Sequence, residues 1–364
     1  MGLSCGLIGL PNVGKTTVFN ALVGGEATVA KYPFSTVETN IGISTIPDPR
    51  LSVLARIFRS KKMTPSTLEV RDIAGLVPGA SQGEGLGNQF LAQIREVEAL
   101  VHVVRCFEHA DVAHVLGGVD PLRDIALVES ELLLADLATL ERRRDRLMKR
   151  KRAGESAADK ELTSLEKVEE CLHQGIWLAH HPLSADEQRL VTDCHLLSSK
   201  PVLYVANVSE TGNDQMSPFV QDVVDYSIKK GAKAIVLQGD LEAQLTQLPE
   251  TERLEFFKEL GLHASGLQRL VVAAYELLGL ITFFTASEEE ARAWTVRKGT
   301  RAHEAAGKIH SDMQRGFIRA EVFSYEHLVQ CGTPAMVREK GYFRLEGRDY
   351  LVQDGDILYF RFHV

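Results

Sequence analysis

The chain has 364 residues, of which 45% are hydrophobic and 25% are charged, and its formal net charge is −8. That length allows two or three domains with sizeable cores, and the composition is ordinary for a globular protein. The acidic balance argues against a protein that coats nucleic acid generally, although one local basic segment is present. No apolar run approaches the ~18–20 residues that a membrane-spanning helix needs.

The N-terminus and the cysteines favour a cytoplasmic location. No basic segment precedes the first apolar run, so we expect no signal peptide. The five cysteines are odd in number, widely spaced and without a CxxC pair. Such usage is typical of a reducing compartment and argues against a zinc site or a disulfide framework.

Strand-like and helix-like segments alternate in the first part of the chain. This alternation predicts an α/β fold with a parallel sheet and helices on both faces. The strands are expected at residues 3–9, 67–72, 99–105, 202–207 and 234–237. Ligands of such sheets lie beyond the carboxyl ends of the strands, and four of these five strands end at a motif or residue considered below.

A phosphate-binding loop follows the first predicted strand. Residues 9–16 read GLPNVGKT, which fits G-x-x-x-x-G-K-[ST], and an amphipathic helix is expected directly afterwards. Backbone N–H groups of such a loop surround phosphate oxygens, and the helix N-terminus adds partial positive charge. Lys15 is expected to reach the β- and γ-phosphates and to act in catalysis, and Thr16 to bind Mg²⁺. The predicted nucleotide contacts in this loop are Asn12, Val13, Gly14, Lys15, Thr16 and Thr17.

A second motif, DIAG at residues 72–75, follows the next strand. Asp72 is predicted to hold Mg²⁺ through water, as the second acid of this NTPase class does, and the Gly75 N–H to meet the γ-phosphate. The glycine-rich residues 75–87 are costly to order, which favours a switch that the γ-phosphate orders. Thr36 is predicted to give Mg²⁺ a second hydroxyl, with Thr39 as its rival.

A third motif, NVSE at residues 207–210, stands where guanine-specific relatives of this class carry N-K-x-D. Val208 replaces the lysine, and the longer Glu210 side chain would pair poorly with the N1–H and 2-amino groups of guanine. Losing the aspartate also removes discrimination against adenine. Asn207, with main-chain groups of this turn, is predicted to read the adenine 6-amino group and N7. We therefore expect ATP rather than GTP.

The motifs identify the nucleotide contacts more directly than the residue that orients the attacking water. Leu76 occupies the position where many GTPases carry the glutamine that orients the attacking water, and leucine cannot form that hydrogen bond. Either another group orients the water or hydrolysis is very slow. His114 lies beyond the strand that ends at Arg105, and histidine suits proton or water handling near neutral pH. The alternative is a loop histidine that faces solvent.

Two further regions follow from periodicity. Leucines at helical spacing within residues 126–193, interrupted near Gly154, predict two long helices in an antiparallel hairpin. From residue 279 onward, short β-like runs with one helix at 302–313 predict a small β-grasp-like domain. The nucleotide-binding domain would then comprise residues 1–125 and 194–278.

Eight cations crowd the tip of the predicted hairpin, with Asp145 as their acidic company. Eight like charges repel one another, and RNA phosphates would relieve that repulsion. The alternative is a solvated helix end, where cations are favourable in any case. We favour RNA contact. The residues concerned are Arg142, Arg143, Arg144, Arg146, Lys149, Arg150, Lys151 and Arg152.

Taken together, the motifs resemble those of the YchF/Obg-like ATPases over essentially the whole chain. The matching segments are NVGK at 12–15, PFST at 33–36, DIAGL at 72–76, GEGLGNQF at 83–90, RCFE at 105–108, NVSE at 207–210, RAWT at 292–295 and GKIH at 307–310. The resemblance implies a P-loop G domain with an inserted coiled-coil arm and a C-terminal TGS domain. It also implies slow, Mg²⁺-dependent ATP hydrolysis without a catalytic glutamine, with His114 as the candidate catalytic residue.

The same resemblance implies a switch that associates with the ribosome, through rRNA or ribosomal proteins, and regulates translation or stress responses. We expect a monomer that contacts neither DNA nor a membrane. One departure is the loop at residues 238–240, where the family usually has a short Ser/Cys-Ala-type loop. Gly239 can still offer its backbone N–H to the base, whereas Asp240 alters the surroundings of the ring. An Obg-type GTPase therefore stays open as an alternative, and Leu76 keeps open a non-catalytic adaptor that ATP only stabilises.

Overall fold

The computed structural model describes residues 4–24, 40–76, 86–109, 111–209, 217–259 and 265–363. Its strands are β1 (Ser4–Ile8), β2 (Asn40–Thr45), β3 (Lys62–Thr64), β4 (Thr67–Asp72), β5 (Ala99–Arg105), β6 (Val202–Asn207), β7 (Lys233–Leu237), β8 (Leu280–Ala286), β9 (Glu290–Arg297), β10 (Phe317–Ser324), β11 (Arg344–Glu346) and β12 (Asp356–Phe362). Its helices are α1 (Lys15–Val23), α2 (Pro49–Phe58), α3 (Leu86–Glu96), α4 (Pro121–Arg152), α5 (Ala157–His173), α6 (Ala185–Asp193), α7 (Pro218–Lys229), α8 (Gly239–Leu245), α9 (Glu250–Glu259), α10 (Gly266–Leu277), α11 (Ala302–Ile309), α12 (Ser311–Arg315), α13 (Tyr325–Cys331) and α14 (Pro334–Glu339).

The chain divides into two compact units, Met1–Ser44 with Glu69–Leu270, and Thr45–Leu68 with Val271–Val364. The first unit is built on a six-stranded sheet in the order β2-β4-β1-β5-β6-β7. Strand β1 runs parallel to β4 and β5, and β5, β6 and β7 continue in parallel. Every residue of β1, β5 and β6 is buried, as expected when helices cover both faces of a parallel sheet. The predicted α/β fold is confirmed.

The strands expected at 67–72, 99–105 and 202–207 have those bounds in the structure, and β7 begins one residue earlier than expected. The sequence did not predict β2, whose six residues, NIGIST, carry few apolar side chains. That composition is compatible with the edge position that β2 takes in the sheet.

Two long helices, α4 and α5, lie where the sequence predicted a hairpin. Residues 153–156 join them, and Gly154 adopts the left-handed conformation at φ 88° that glycine tolerates best. Helix α4 begins at Pro121, earlier than the expected boundary at 126, because Asp120 caps it by accepting the Arg123 N–H at 3.1 Å. The leucines buried between the helices include Leu140, Leu147 and Leu165.

The first half of α4 carries buried carboxylates that fix it to the sheet. Glu129 accepts hydrogen bonds from the Tyr204 and Tyr226 hydroxyls at 2.5 and 2.8 Å. Two turns further on, Asp136 accepts the backbone N–H groups of residues 197 and 198 at 2.7 and 2.8 Å. Buried carboxylates with several donors hold a helix in one position, because losing any donor leaves charge uncompensated.

The second unit contains a mixed six-stranded sheet in the order β11-β10-β12-β8-β9-β3, with β12 and β8 parallel at its centre. Two apolar clusters cover its faces. Helix α2 contributes Leu51 and Leu54 to one cluster, and α11 contributes Ala302 and Ala305 to the other.

The expected layout of this region, one helix among strands, is wrong in two respects. The segment at 302–313 divides into α11 and α12, and α13 and α14 are additional helices with side-chain caps from Ser324 and Thr333. Residues 45–68 also join this unit rather than the nucleotide-binding domain. Local periodicity could not show this, because β3 is three residues long and Thr64 contacts Glu290, which lies 226 positions away.

None of the helices in the described part of the chain is both long and apolar enough to span a bilayer.

The buried side chain of His102, in β5, provides a test of the core of the first unit. Its ring is 2% exposed and lies 5.7 Å from the Tyr204 ring, and burial lowers the pKa of His102 to about 3. The unfolded chain therefore binds a proton near pH 6.5 that the folded chain refuses, so stability falls as the pH drops from 6.5 towards 3. We expect a loss of up to about 1.4 kcal/mol per pH unit in this window.

Denaturant unfolding of the wild type and of His102→Phe at pH 7.0, 6.0 and 5.0 measures this effect. Phenylalanine keeps a ring against Tyr204 but does not titrate, so the variant should show the shallower pH dependence. Equal slopes for the two proteins would contradict the buried neutral histidine.

Candidate functional site

The glycine-rich loop between β1 and α1 has the backbone conformation that phosphate binding requires. Asn12 and Gly14 both have positive φ, 63° and 86°, and α1 begins at Lys15 directly afterwards. A Cβ at residue 14 would overlap the side-chain nitrogen of Asn207, so only glycine fits. The loop thus presents the free N–H groups of a helix N-terminus towards the cleft.

The Asp72 carboxylate at the end of β4 joins the two chemically active side chains of this loop. Lys15 forms an ion pair with one carboxylate oxygen, and the Thr16 hydroxyl donates to the other at 3.1 Å. Lys15 and Asp72 are each 8% exposed. A hydroxyl beside a carboxylate is a set of hard oxygen donors, which is the type that Mg²⁺ selects.

The residues after Asp72 pack against the phosphate-binding loop. A Cβ at Gly75 would lie 3.2 Å from the Pro11 nitrogen, which leaves room for little more than glycine. The Leu76 N–H donates to the Gly9 carbonyl at 3.0 Å, and the Leu76 side chain is 1% exposed. Its side chain is therefore part of the core, and no polar group at this position can orient water.

Asn207, at the end of β6, is a brace between two loops. Its side-chain Nδ2 donates to the Val13 carbonyl at 2.9 Å, and its Oδ1 accepts the Gly239 N–H at 3.0 Å. The sequence assigned this amide to the adenine edge, whereas the structure engages both polar atoms with main-chain groups. Val208 is buried and donates its own N–H to the Leu237 carbonyl, so its side chain packs inside the domain.

A cleft of about 430 Å³ opens over the loop. Besides the loop itself and Gly75, it is lined by Phe107, His109 and Val112, which follow β5, and by Asp240, at the start of α8. The sequence analysis named Asp240 but missed His109. The rule that ligands lie beyond the carboxyl ends of parallel strands would have pointed to residue 109, because it follows β5 by four positions.

His114 does not line this cleft. Its side chain is 3% exposed, and its Nε2 lies 2.8 Å from an oxygen of the equally buried Asp124. Its Nδ1 accepts the Leu116 N–H at 3.2 Å, so the ring proton sits on Nε2 and is donated to Asp124. The His114 side chain is therefore neither exposed to solvent nor directed at the phosphate-binding loop. Its predicted catalytic role stays a prediction.

The basic tip of the hairpin differs from the expectation. Asp145 was the expected acidic neighbour of the eight cations, but α5 and the turn supply four further carboxylates. Arg143 and Arg150 both reach Glu161, and the other ion pairs join Arg144 to Glu169, Arg150 to Glu155 and Lys151 to Asp159. Three of the four partners, Asp159, Glu161 and Glu169, lie on the opposite helix, where a linear stretch of sequence does not reveal them.

Half of these cations lack such a pair. Within the described residues, no carboxylate lies within 4.0 Å of Arg142, Arg146, Lys149 or Arg152, and all four are exposed. The first three stand at i, i+4 and i+7 and so share one side of α4. We name Arg142, Arg146 and Lys149 the open basic face.

Two predicted site residues, Thr36 and Glu210, lie outside the described residues, and so does most of the glycine-rich segment after residue 76. Their predicted roles in binding Mg²⁺, the base and the γ-phosphate stay predictions.

The loop between β1 and α1, with Asp72 at the end of β4 and Asn207 at the end of β6, defines a P-loop nucleotide-binding protein of the G-domain type. Residues 4–135 match the family model described as "50S ribosome-binding GTPase", and residues 280–363 match YchF-GTPase_C, described as "Protein of unknown function (DUF933)".

Full-length relatives make the family explicit. Proteins named "Ribosome-binding ATPase YchF" from Haemophilus influenzae and Bacillus subtilis are each 46% identical to this chain, with 100% of both chains covered. A solved structure, that of the Schizosaccharomyces pombe YchF GTPase, matches with a TM-score of 0.87 at 34% identity and covers 99% of this chain and 98% of that one. The chain belongs to the YchF family, as its motifs predicted.

A substitution can distinguish the structural role of Asn207, which joins two loops, from a role in recognising the base. Replacing Asn207 with alanine removes two buried hydrogen bonds that position Val13 and Gly239. We expect ATP and GTP affinity to fall together by roughly tenfold or more, since each buried bond contributes about 1 kcal/mol. Calorimetric titration of both nucleotides measures this.

Gln238→Ala serves as the matched control, because Gln238 Nε2 also bonds a neighbouring carbonyl, that of Ser209, at 3.2 Å. It should bind both nucleotides as the wild type does. A loss confined to ATP in Asn207→Ala would instead show that the amide reads adenine.

Proposed function

We propose that this protein is a Mg²⁺-dependent ATPase switch that binds the ribosome. The contacts of Asp72 with Lys15 and Thr16 carry the hydrolytic part of this proposal, because they bring together the three side chains that P-loop NTPases use on phosphates and Mg²⁺. The relatives named ribosome-binding ATPases support both parts. A ribosome partner also supports a cytoplasmic location.

Nucleotide binding would change the partners of these side chains. The Lys15 ammonium exchanges the Asp72 carboxylate for β- and γ-phosphate oxygens, which are the stronger anionic partner. Asp72 is then free to accept from water bound to Mg²⁺, and Thr16 offers its hydroxyl oxygen. Bound Mg²⁺ supplies neutralisation of phosphate charge. Thr36 is proposed as the second hydroxyl ligand.

Base preference rests on what surrounds the ring. Val208 is buried and apolar, so it does not supply the lysine that packs along guanine. Glu210 replaces the aspartate that pairs with guanine. We infer ATP binding on these grounds. Asp240 is the observation that favours GTP, because an exposed carboxylate in the cleft accepts from the donors of guanine.

Calorimetric titration of ATP and GTP with Mg²⁺ tests the base preference. The wild type should prefer ATP, and Glu210→Asp should gain GTP affinity by about tenfold or more, because the shorter carboxylate restores two charge-assisted bonds worth roughly 1.5–3 kcal/mol each. Asp240→Ala should lower any GTP affinity of the wild type and leave its ATP affinity intact.

Phosphate release from ATP accompanies these titrations, with Lys15→Ala as the inactive control. A wild type that prefers GTP would be an Obg-type GTPase. A wild type that binds ATP but releases phosphate no faster than Lys15→Ala would be the non-catalytic adaptor.

Ribosome contact is assigned to the open basic face. Arg142, Arg146 and Lys149 are exposed and share one side of α4, whereas Arg143, Arg150 and Lys151 are already neutralised by carboxylates. Cations without a carboxylate partner gain most from RNA phosphate, because no existing ion pair must be broken. The partner is therefore ribosomal RNA, approached through α4.

Two triple variants compare these groups in ribosome binding at several salt concentrations. Alanine at residues 142, 146 and 149 should weaken binding and make the slope of log K against log salt shallower by about 2–3, since each phosphate contact contributes about 0.7–0.9. The matched variant, glutamine at residues 143, 150 and 151, should change this slope by less than half as much.

Equal effects of the two variants would show that total charge at the tip matters rather than the open basic face. No effect of either would move the contact away from the arm.

A further inference from the structure

The His114 ring is held on both sides by groups that lie away from the nucleotide cleft. Its Nε2–H donates to Asp124 at 2.8 Å, and its Nδ1 accepts the Leu116 N–H at 3.2 Å. The segment before it lines the cleft as far as Val112, and two residues later the chain has turned the ring into the interior. The ring has no nitrogen left to offer a phosphate or a water in this position.

Asp124 is built to hold one partner on each oxygen. Its Oδ1 accepts from the Arg123 guanidinium at 3.0 and 3.2 Å, and its Oδ2 receives the His114 proton. It stands in the first turn of α4, where the helix dipole favours a carboxylate. Because Glu129 and Asp136 fix the same helix to the sheet, Asp124 is the stationary member of the pair.

The segment that carries His114 is in contact with the phosphate-binding loop. The Asn12 side chain donates to the Ala113 carbonyl at 3.2 Å, and the fully buried Arg105 reaches the Asn12 carbonyl at 3.5 Å. A change in Asn12 when phosphate enters the loop therefore acts on the residue directly before His114.

We propose that Asp124 is a positioning residue that holds the His114 ring away from the cleft between turnovers. Hydrolysis requires the His114 ring to leave the Asp124 carboxylate and to contact the water or terminal phosphate in the cleft. The hydrogen bond to Asp124 therefore slows basal hydrolysis. This inference rests on the proposed ATP hydrolysis with His114 as its catalytic residue.

Turnover of Asp124→Asn tests the proposal. The amide keeps the shape of the side chain but replaces a charge-assisted bond with a weaker neutral one, so the ring leaves more readily. We expect basal kcat for ATP to rise roughly three- to tenfold, with KM unchanged because the phosphate-binding loop is untouched. Arg123→Gln is the matched control: it removes the other partner of Asp124, so the carboxylate accepts more strongly from His114 and basal kcat should not rise.

The double variant Asp124→Asn with His114→Ala separates release of the ring from a general structural effect. Its kcat should equal that of His114→Ala alone. A rise that persists without His114, or a lower kcat in Asp124→Asn, would overturn the proposal. If His114→Ala turns over like the wild type, the catalytic role assigned to His114 fails instead, and the spectroscopic measurement below decides whether Asp124 holds the ring away from the cleft.

Nitrogen-15 NMR of histidine-labelled protein, with His114→Ala used for assignment, reads the ring directly. The wild type should show a protonated Nε2 and an unprotonated Nδ1, and these signals should shift when a non-hydrolysable ATP analogue binds with Mg²⁺. Ring signals that are identical with and without the analogue would overturn the proposal, whether or not Asp124→Asn folds well.

Discussion

The Asn207 amide is the interaction on which the nucleotide site depends. With one bond to Val13 and one to Gly239, it joins the loop after β1 to the loop after β7, while its own backbone ends β6. Three segments that are far apart in sequence thus share one buried side chain. Parallel strands bring them to the same edge of the sheet, but only a group with both a donor and an acceptor can tie them there. The side chain therefore contributes to the site through geometry, whatever further contact it makes with a base.

The sequence revealed most of the first unit because its signals are local. Buried apolar runs mark β1, β5 and β6, and the motif at residues 9–16 carries its own structural context. Pairing across sequence was invisible: β3 finds its partner β9 more than 200 residues away, and the carboxylates that neutralise half of the basic tip lie on α5. Periodicity also could not show that His114 faces inward, because a turn at residues 114–117 reorients the chain within a few residues.

The basic tip shows how charge density in a sequence overstates charge available for binding. Arg144 and Lys151 each have a carboxylate partner, and a paired cation must lose that partner before it can bind phosphate. Arg142 and Arg146 have no such cost. Surface ion pairs contribute little to stability, so their main consequence here is to neutralise some cations and to leave the open basic face, on one side of α4, without carboxylate partners.

Helix α4 carries both regions of the arm to which we assign a function. Its first turn holds Asp124 against His114, and about 30 Å further along lies the open basic face, at the ~1.5 Å rise per residue of an α-helix. The buried carboxylates Glu129 and Asp136 lie between these regions and bind α4 to the strand and turn that lead to Asn207. A force on the tip of the hairpin therefore acts on α4 beyond the two buried contacts that hold this helix in place. A displacement of the tip reaches the first turn of α4 only if it strains the contacts of Glu129 and Asp136. The position of Asp124 is therefore well isolated from small movements of the arm.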